Sequence, residues 1–361
     1  MTPLVSATID LAALRHNLGV IRKRAPNSRV MAVIKANAYG HGLIAVAKAL
    51  QGADAFAVAR VDEGLALRNA GVHGDVVLLE GVFDREQLEA AAAANFEIVV
   101  HAQEQIELLR ASTLQRRFKV WLKLDSGMNR LGFKAADFAA AHSALQELAS
   151  VKKPIGLFTH LSSADEPKLH TTQQQVDLFA ELTASLNGER SIENSAGILA
   201  FPDSQADWVR PGLLLYGVSP FCGSTGPDFE LKPVMTLRSH VIAVKQLVPG
   251  EHVGYGAAWV ASRGTQLAIA AVGYGDGYPR NLPAKTPVLV NGVRAGLAGR
   301  VSMDMIGIDT TDIQGPVKVG DPVVLWGEGL PVEEIASWAQ TIPYELLCGI
   351  AARVAVNHRG Q

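Results

Sequence analysis

From residue 30 to residue 210 the chain repeats one pattern: a short apolar run, then a longer amphipathic stretch. Strand-like runs fall at 30–34, 55–58, 76–79, 97–100, 119–124, 155–159, 191–193 and 208–210. Short continuous apolar runs suit parallel strands that are covered on both faces. Helical spacing marks segments such as 10–24, 86–94, 103–110, 135–149 and 171–186, with Asp10 and Thr171 as N-cap candidates. About eight strand-then-helix units predict an α/β chain with an N-terminal (β/α)8 TIM-type barrel. An open doubly wound sheet is the competing arrangement.

From Lys232 the period changes. Runs at 236–246, 267–272, 288–290 and 322–326 are separated by turns rich in Gly, Pro and Asp, and Asn291-Gly292 is a type I′ hairpin signal. A helix over 332–340 leads to Pro343-Tyr344-Glu345-Leu346. The expected division is therefore a barrel over 1–231 and a C-terminal, mostly antiparallel β domain over 232–361. With 361 residues, 48% of them hydrophobic, the chain can bury a large core. A formal net charge of -2 and no basic block argue against nucleic acid as a partner. Cys222 and Cys348 have no metal-like or redox spacing, and no metal site is expected. Neither an export signal nor a membrane-spanning run is visible, which predicts a cytoplasmic chain with no membrane partner.

Polar residues gather where strands end, and in such barrels functional groups sit at the C-terminal ends of strands. Lys35 closes the first apolar run, before Ala36-Asn37-Ala38-Tyr39-Gly40-His41-Gly42. Lys123 and Asp125 close another, leading through Ser126-Gly127-Met128-Asn129 to Arg130; His160 ends the next; Asn194-Ser195 and Arg210-Pro211-Gly212 follow. Each has a structural alternative. Lys35 can snorkel into water, Lys123 can pair with Asp125, Ser195 can cap a helix, and Arg210 can cap a turn. Five strand ends sharing the pattern favour a site.

Enclosing an ammonium is costly, and that cost favours the free amine, a nucleophile or base. His160 adds a ring donor and Arg210 a fixed cation. The Ser195 hydroxyl and the backbone near Gly212 and Leu213 add anion-binding groups, as a turn feeding a helix does. An amine beside a phosphate cradle suggests an aldehyde cofactor with a phosphate handle, and pyridoxal 5′-phosphate is the natural candidate. An aldolase-type Schiff-base barrel explains the lysine and the phosphate almost as well.

The segment Lys35–His41 with Gly42 closely resembles the cofactor-lysine motif of alanine racemases. The resemblance continues through Lys123-Leu124-Asp125-Ser126-Gly127-Met128-Asn129-Arg130-Leu131-Gly132 and Arg210-Pro211-Gly212. It resumes at Gly254-Tyr255-Gly256, Gly273-Tyr274-Gly275-Asp276-Gly277-Tyr278, Gly299-Arg300-Val301-Ser302-Met303-Asp304 and Pro343-Tyr344-Glu345. These motifs cover nearly the whole chain in the family's order; Ser302 stands where some members have cysteine.

The resemblance implies a barrel plus β domain and a head-to-tail homodimer with shared active sites. It implies that Lys35 holds the cofactor aldehyde, that Tyr39, Ser195, Gly212, Leu213 and Tyr344 hold its phosphate, and that Asn194 belongs to the same cofactor site. Arg210 would face the pyridine nitrogen, with His160 beside the ring. Tyr255 from the partner would be the second catalytic base. Arg130 would support the substrate carboxylate, oriented by Lys123, which is often carbamylated in the family. Met303 and Asp304 would approach that carboxylate from the partner, and Tyr274 would narrow the entrance. The implied reaction is interconversion of L- and D-alanine by Lys35 and Tyr255, for peptidoglycan precursors or alanine catabolism. A broad-specificity amino-acid racemase, a decarboxylase using the same cofactor and a non-catalytic cofactor carrier are the alternatives.

Overall fold

A strand absent from the sequence reading comes first. In the computed structural model, which describes residues 3–360, β1 (Ser6–Asp10) leads straight into the helix Leu11–Arg24. That helix starts where expected, because the Asp10 carboxylate accepts from the Ala13 amide at 2.9 Å. Its buried face, including Leu11, Leu14, Leu18 and Ile21, repeats every three or four residues. Thr171, by contrast, is the first residue of its helix rather than the cap; His170 occupies the cap position without a side-chain capping bond.

All eight expected parallel strands form: β2 (Arg29–Val33), β3 (Ala55–Val58), β4 (Val76–Leu78), β5 (Glu97–Val100), β6 (Val120–Lys123), β7 (Gly156–Phe158), β8 (Arg190–Ser191) and β9 (Trp208–Val209). Each pairs with the next, and β9 pairs back to β2 through Arg29 opposite Trp208, so the sheet is a closed barrel. Closure rules out the doubly wound alternative. At the end away from the strand C-termini, Trp121 meets Trp208 edge-to-face at 6.1 Å. Its indole N–H donates to Glu97 at 2.7 Å, and Glu97 also pairs with Lys119 at 3.1 Å. That end is sealed, which leaves the opposite mouth open for chemistry.

The later strands are β10 (Met235–Leu247), β11 (His252–Val253), β12 (Trp259–Val260), β13 (Thr265–Ala270), β14 (Pro287–Val290), β15 (Val293–Leu297), β16 (Ile306–Asp309), β17 (Pro322–Trp326) and β18 (Ala355–Arg359); β11 and β12 form a separate hairpin. The main sheet runs β13-β16-β15-β14-β17-β10-β1-β18, and long β10 pairs a second time with β13, closing six strands on themselves. β14 and β15 form the expected hairpin, with Asn291 at φ 53° and Gly292 at φ 77°. β1 lies between β10, antiparallel, and β18, parallel. The N-terminal strand therefore belongs to the second sheet, a correction to placing all of 1–231 in the barrel. Late helices form at Val332–Trp338 and Pro343–Cys348. One continuous apolar core runs through both parts, from Val30 to Trp326.

Candidate active site

Lys35 is not the last residue of a strand. β2 ends at Val33, and Lys35 opens a single turn over Lys35–Tyr39 whose residues Ala36, Asn37, Ala38 and Tyr39 all have φ between 53° and 54°. This turn is left-handed. Left-handed backbone costs about 1–2 kcal/mol at each residue that has a Cβ, so the turn needs support. The Glu63 carboxylate provides some, accepting from the Ala36 amide at 2.6 Å and the Ala59 amide at 2.8 Å. The Asn37 side chain accepts from the Leu43 amide at 2.9 Å. Gly40 ends the turn at φ 80°, where a Cβ would collide with the Leu347 carbonyl oxygen. Lys35 is thereby half-buried and lines a cavity of about 550 Å³ at the barrel mouth.

Across that cavity, Arg210 is 3% exposed and its fork is filled. It donates to Ser191 Oγ at 2.7 Å, Thr159 O at 2.6 Å and Ile192 O at 3.1 Å, and it stacks 3.9 Å above the Phe158 ring. Burial pulls the guanidinium down to about 9, while Glu193 pulls the other way, so it keeps its charge at neutral pH. A further bond runs from Arg210 Nη2 to His160 Nδ1 at 3.2 Å. Arginine can only donate, so Nδ1 is an acceptor and the neutral imidazole carries its proton on Nε2. Burial, reinforced by Arg210, Lys123, Arg130 and Lys35, holds this ring well below its ordinary pKa. Gln175 steadies the same segment by donating to the His160 carbonyl at 3.1 Å.

Beside Arg210 the chain makes a small cradle. The Gly212 amide donates to Ser195 Oγ at 2.9 Å. A Cβ on Gly212 would lie 2.6 Å from Tyr39 Oη, so only glycine leaves this gap open. Tyr39 is buried, stacks on Tyr216 at 4.8 Å and tilts against Tyr344 at 5.6 Å. Burial keeps the Tyr39 hydroxyl protonated, and pushes that of Tyr344, at the rim, up to about 12. Asn194 caps the short helix Ser195–Ala200 by accepting from the Gly197 amide at 3.0 Å, and it also lines the cavity. Leu213 is buried behind Gly212, outside the lining.

Lys123 does not pair with Asp125. The Asp125 carboxylate turns to Lys134 at 2.6 Å and to the amides of Gly127 and Asn129. Lys123 instead points into the cavity, 6% exposed and 5.7 Å from the Phe158 ring. Burial, then the charges of Arg210 and Arg130, bring its ammonium down to about 7. Arg130 joins the lining from an exposed loop. Four basic side chains thus face one cavity, a setting for an anionic ligand. Among the described residues no cluster suited to a metal ion occurs.

Tyr255, Tyr274, Met303 and Asp304 are not brought to this cavity within the chain. Tyr255 is 69% exposed, between Gly254 and Gly256, and Gly256 faces the Arg300 guanidinium. Met303 is 52% exposed. The Tyr274 amide donates to Ser302 O at 3.0 Å, and Asp304 pairs with Arg353 at 2.8 Å, so these residues share one exposed face of the β domain. The sequence reading missed Phe158, Thr159, Ser191 and Glu63, which set Arg210 and the Lys35 turn. For Phe158, Thr159 and Ser191 the one signal was position, at or next to strand ends; Glu63 lies in the first turn of the helix Val61–Asn69 and carried none.

Family models described as alanine racemase, N-terminal domain and alanine racemase, C-terminal domain match residues 9–220 and 234–358. An alanine racemase of Aeromonas hydrophila is 51% identical over 356 residues, covering 98% of each chain. The structure is similar to that of the biosynthetic alanine racemase from Pseudomonas aeruginosa, with a TM-score of 0.96 and 42% identity over 99% of this chain and 100% of that one. It is also similar to alanine racemase from Acinetobacter baumannii, with a TM-score of 0.92 and 39% identity over 99% and 100% of the two chains. With both domains matched and nearly every residue covered, the chain belongs to the alanine racemase family.

Proposed function

We propose that the protein interconverts L- and D-alanine with pyridoxal 5′-phosphate, using Lys35 and a Tyr255 supplied by a second copy as its two bases. The observation that carries this reading is the convergence of Lys35, the Gly212 cradle and the Arg210–His160 pair on one cavity. These residues fit the cofactor. Gly212 leaves a gap that a Cβ would fill, with the hydroxyls of Ser195 and Tyr39 beside it, and the surrounding cations favour a phosphate. Tyr344 at the rim, Leu213 behind Gly212 and Asn194 at the helix start complete the phosphate end.

When bound, the cofactor supplies an aldehyde for the substrate amine and an electron sink that acidifies the α-proton. Lys35 Nζ holds the cofactor between turnovers and moves a proton on one face of the substrate Cα. Tyr255 Oη moves one on the other face. A single base returns a proton to the side it left, so inversion calls for both. Arg210 would face the ring nitrogen of a bound cofactor, and because it keeps its charge it would disfavour a proton there. His160 holds Arg210 in place through Nδ1. Arg130 receives the substrate carboxylate, oriented by a carbamylated Lys123, whose amine near 7 is partly free to take up carbon dioxide at neutral pH. From the second copy, Met303 and Asp304 approach the carboxylate and Tyr274 narrows the way in.

A head-to-tail homodimer follows from this assignment. Tyr255, Tyr274 and Met303 are exposed, large and away from their own chain's cavity, as residues destined for a partner's site would be. The barrel part of 1–231, which excludes β1, then holds the cofactor and 232–361 deliver the second base. No described helix is long and apolar enough to cross a membrane, and a cytoplasmic setting suits the two free cysteines. D-alanine for peptidoglycan precursors, or alanine catabolism, is the corresponding role.

The test is direct. The protein is incubated with pyridoxal phosphate and L-alanine, L-serine or L-lysine, and D-amino acid is measured. Fastest turnover of alanine supports the proposal. Faster serine or lysine turnover would indicate a broad-specificity racemase, and cofactor absorbance without turnover a carrier.

A further inference from the structure

We propose that His41, which does not line the cavity, is a positioning residue whose Nδ1–H tautomer locks the left-handed turn carrying Lys35 and Tyr39. Its Nδ1 lies 2.8 Å from the Tyr39 carbonyl oxygen and 3.0 Å from that of Ala38. Carbonyls only accept, so Nδ1 must carry the ring proton. The tautomer is thus opposite to that of His160, whose Nδ1 accepts from Arg210. The ring is completely buried, and among the described residues its Nε2 has no hydrogen-bond partner. The Nδ1 bonds are the hydrogen bonds that offset the burial of this polar ring.

The surroundings turn these bonds into a clamp. The His41 ring stacks on Tyr216 at 4.5 Å, and Tyr216 stacks on Tyr39 at 4.8 Å. The Tyr216 hydroxyl donates to the Val33 carbonyl at 3.0 Å, two residues before Lys35. On its outer side, the His41 carbonyl accepts from His358 Nε2 at 3.1 Å, which ties the turn to β18. Both ends of a backbone segment disfavoured for residues with a Cβ are therefore pinned: Val33 through Tyr216, and Ala38–Tyr39 through His41. Burial also takes the imidazole down to about 4, so it remains a neutral donor at every working pH. Losing that donor frees Tyr39 and Lys35 to leave the geometry that closes the Gly212 cradle.

The inference rests on the proposed cofactor, and its test separates the two. His41→Asn places an amide donor close to the Nδ1 position, His41→Gln places it further out, and His41→Phe keeps the stacking ring without a donor. Binding of pyridoxal phosphate to the full-length protein is measured by absorbance titration. Amide hydrogen exchange of the turn and 15N shifts of labelled histidine are recorded without cofactor. We expect affinity to weaken about tenfold in the Phe and Gln variants and to stay within about threefold of the original for Asn. Rescue by Asn is the sign of a donor rather than of bulk. A Phe variant that binds as tightly as the original chain overturns the clamp, as does a 15N signature placing the proton on Nε2. If the unaltered chain binds no pyridoxal phosphate, the proposed function fails. Exchange at Gly40 and His41 then decides the clamp: faster in the Phe variant supports it, unchanged overturns it.

Discussion

Arg210 Nη2 donates to His160 Nδ1 at 3.2 Å, and this bond sets which nitrogen of the buried imidazole carries its proton. It fixes the imidazole as neutral with its proton on Nε2, and it leaves Arg210 charged with every neighbouring acceptor engaged. Arg210→Lys keeps the charge but loses the fork. We expect racemase activity to fall by about tenfold or more, and the melting temperature by about 5 °C, as buried acceptors lose their donor. Calorimetry and a D-alanine assay check both.

Tyr255→Phe removes one hydroxyl from a residue that is 69% exposed in the chain, so stability should hardly change. Activity should drop by about 10²–10⁴, the usual contribution of a positioned acid or base. Absorbance of the bound cofactor should persist in this variant and vanish in Lys35→Ala. Undiminished racemisation by the Phe variant would remove the second base from the mechanism.

Glu193 is completely buried behind Arg210; one carboxyl oxygen accepts from Ser204 at 2.8 Å and the other has no partner among the described residues. Burial raises its carboxyl from 4.5 to about 7. Between those values the folded chain keeps a proton that the unfolded chain releases, so stability falls as pH rises through that window. The full effect is about 3 kcal/mol. Glu193→Gln mimics the protonated form and should flatten that slope, with its largest gain in melting temperature above pH 7. Parallel melting curves from pH 4 to 8, measured for both proteins, decide it.

Lys123 titrates in the opposite sense. Its folded ammonium near 7 against 10.5 makes the chain gain stability as pH rises above neutrality. The free amine so provided should take up carbon dioxide. After exchange into 13C-bicarbonate, a carbamate carbon signal is expected, and Lys123→Met should lack it. The same signal in both proteins would place the modification elsewhere.

Much of this was legible in the sequence because its physics is local. Residues 55–58 or 76–78 are apolar without a break, and a strand buried on both faces needs no more than that. Asn291-Gly292 read as a hairpin because both residues tolerate positive φ. The misses depend on distant partners. Residues 6–10 and 355–359 become strands only by pairing with each other and with β10, and 355–359 has little alternation to announce it. The turn after Lys35 was invisible for another reason: Ala36, Ala38 and Tyr39, unlike Asn37, are unlikely residues for left-handed backbone, and Glu63 and His41 stabilise it through their side chains. Lys35, His160 and Arg210 could be named from strand ends, yet the bonds of Arg210 to Thr159, Ser191 and Ile192 needed the closed barrel. Tyr255 could be singled out only by family resemblance, since its proposed site lies on another chain.

The central claim is that one cavity works with Lys35 from its own chain and Tyr255 from a second. Co-expression of Lys35→Ala with Tyr255→Phe tests it most directly, with racemase activity measured on the mixed dimers. Each variant alone should be inactive. In a random mixture half the dimers are hybrids, each with one intact site, so about a quarter of the original activity should return. Mixed dimers as inactive as the parents would contradict a shared site.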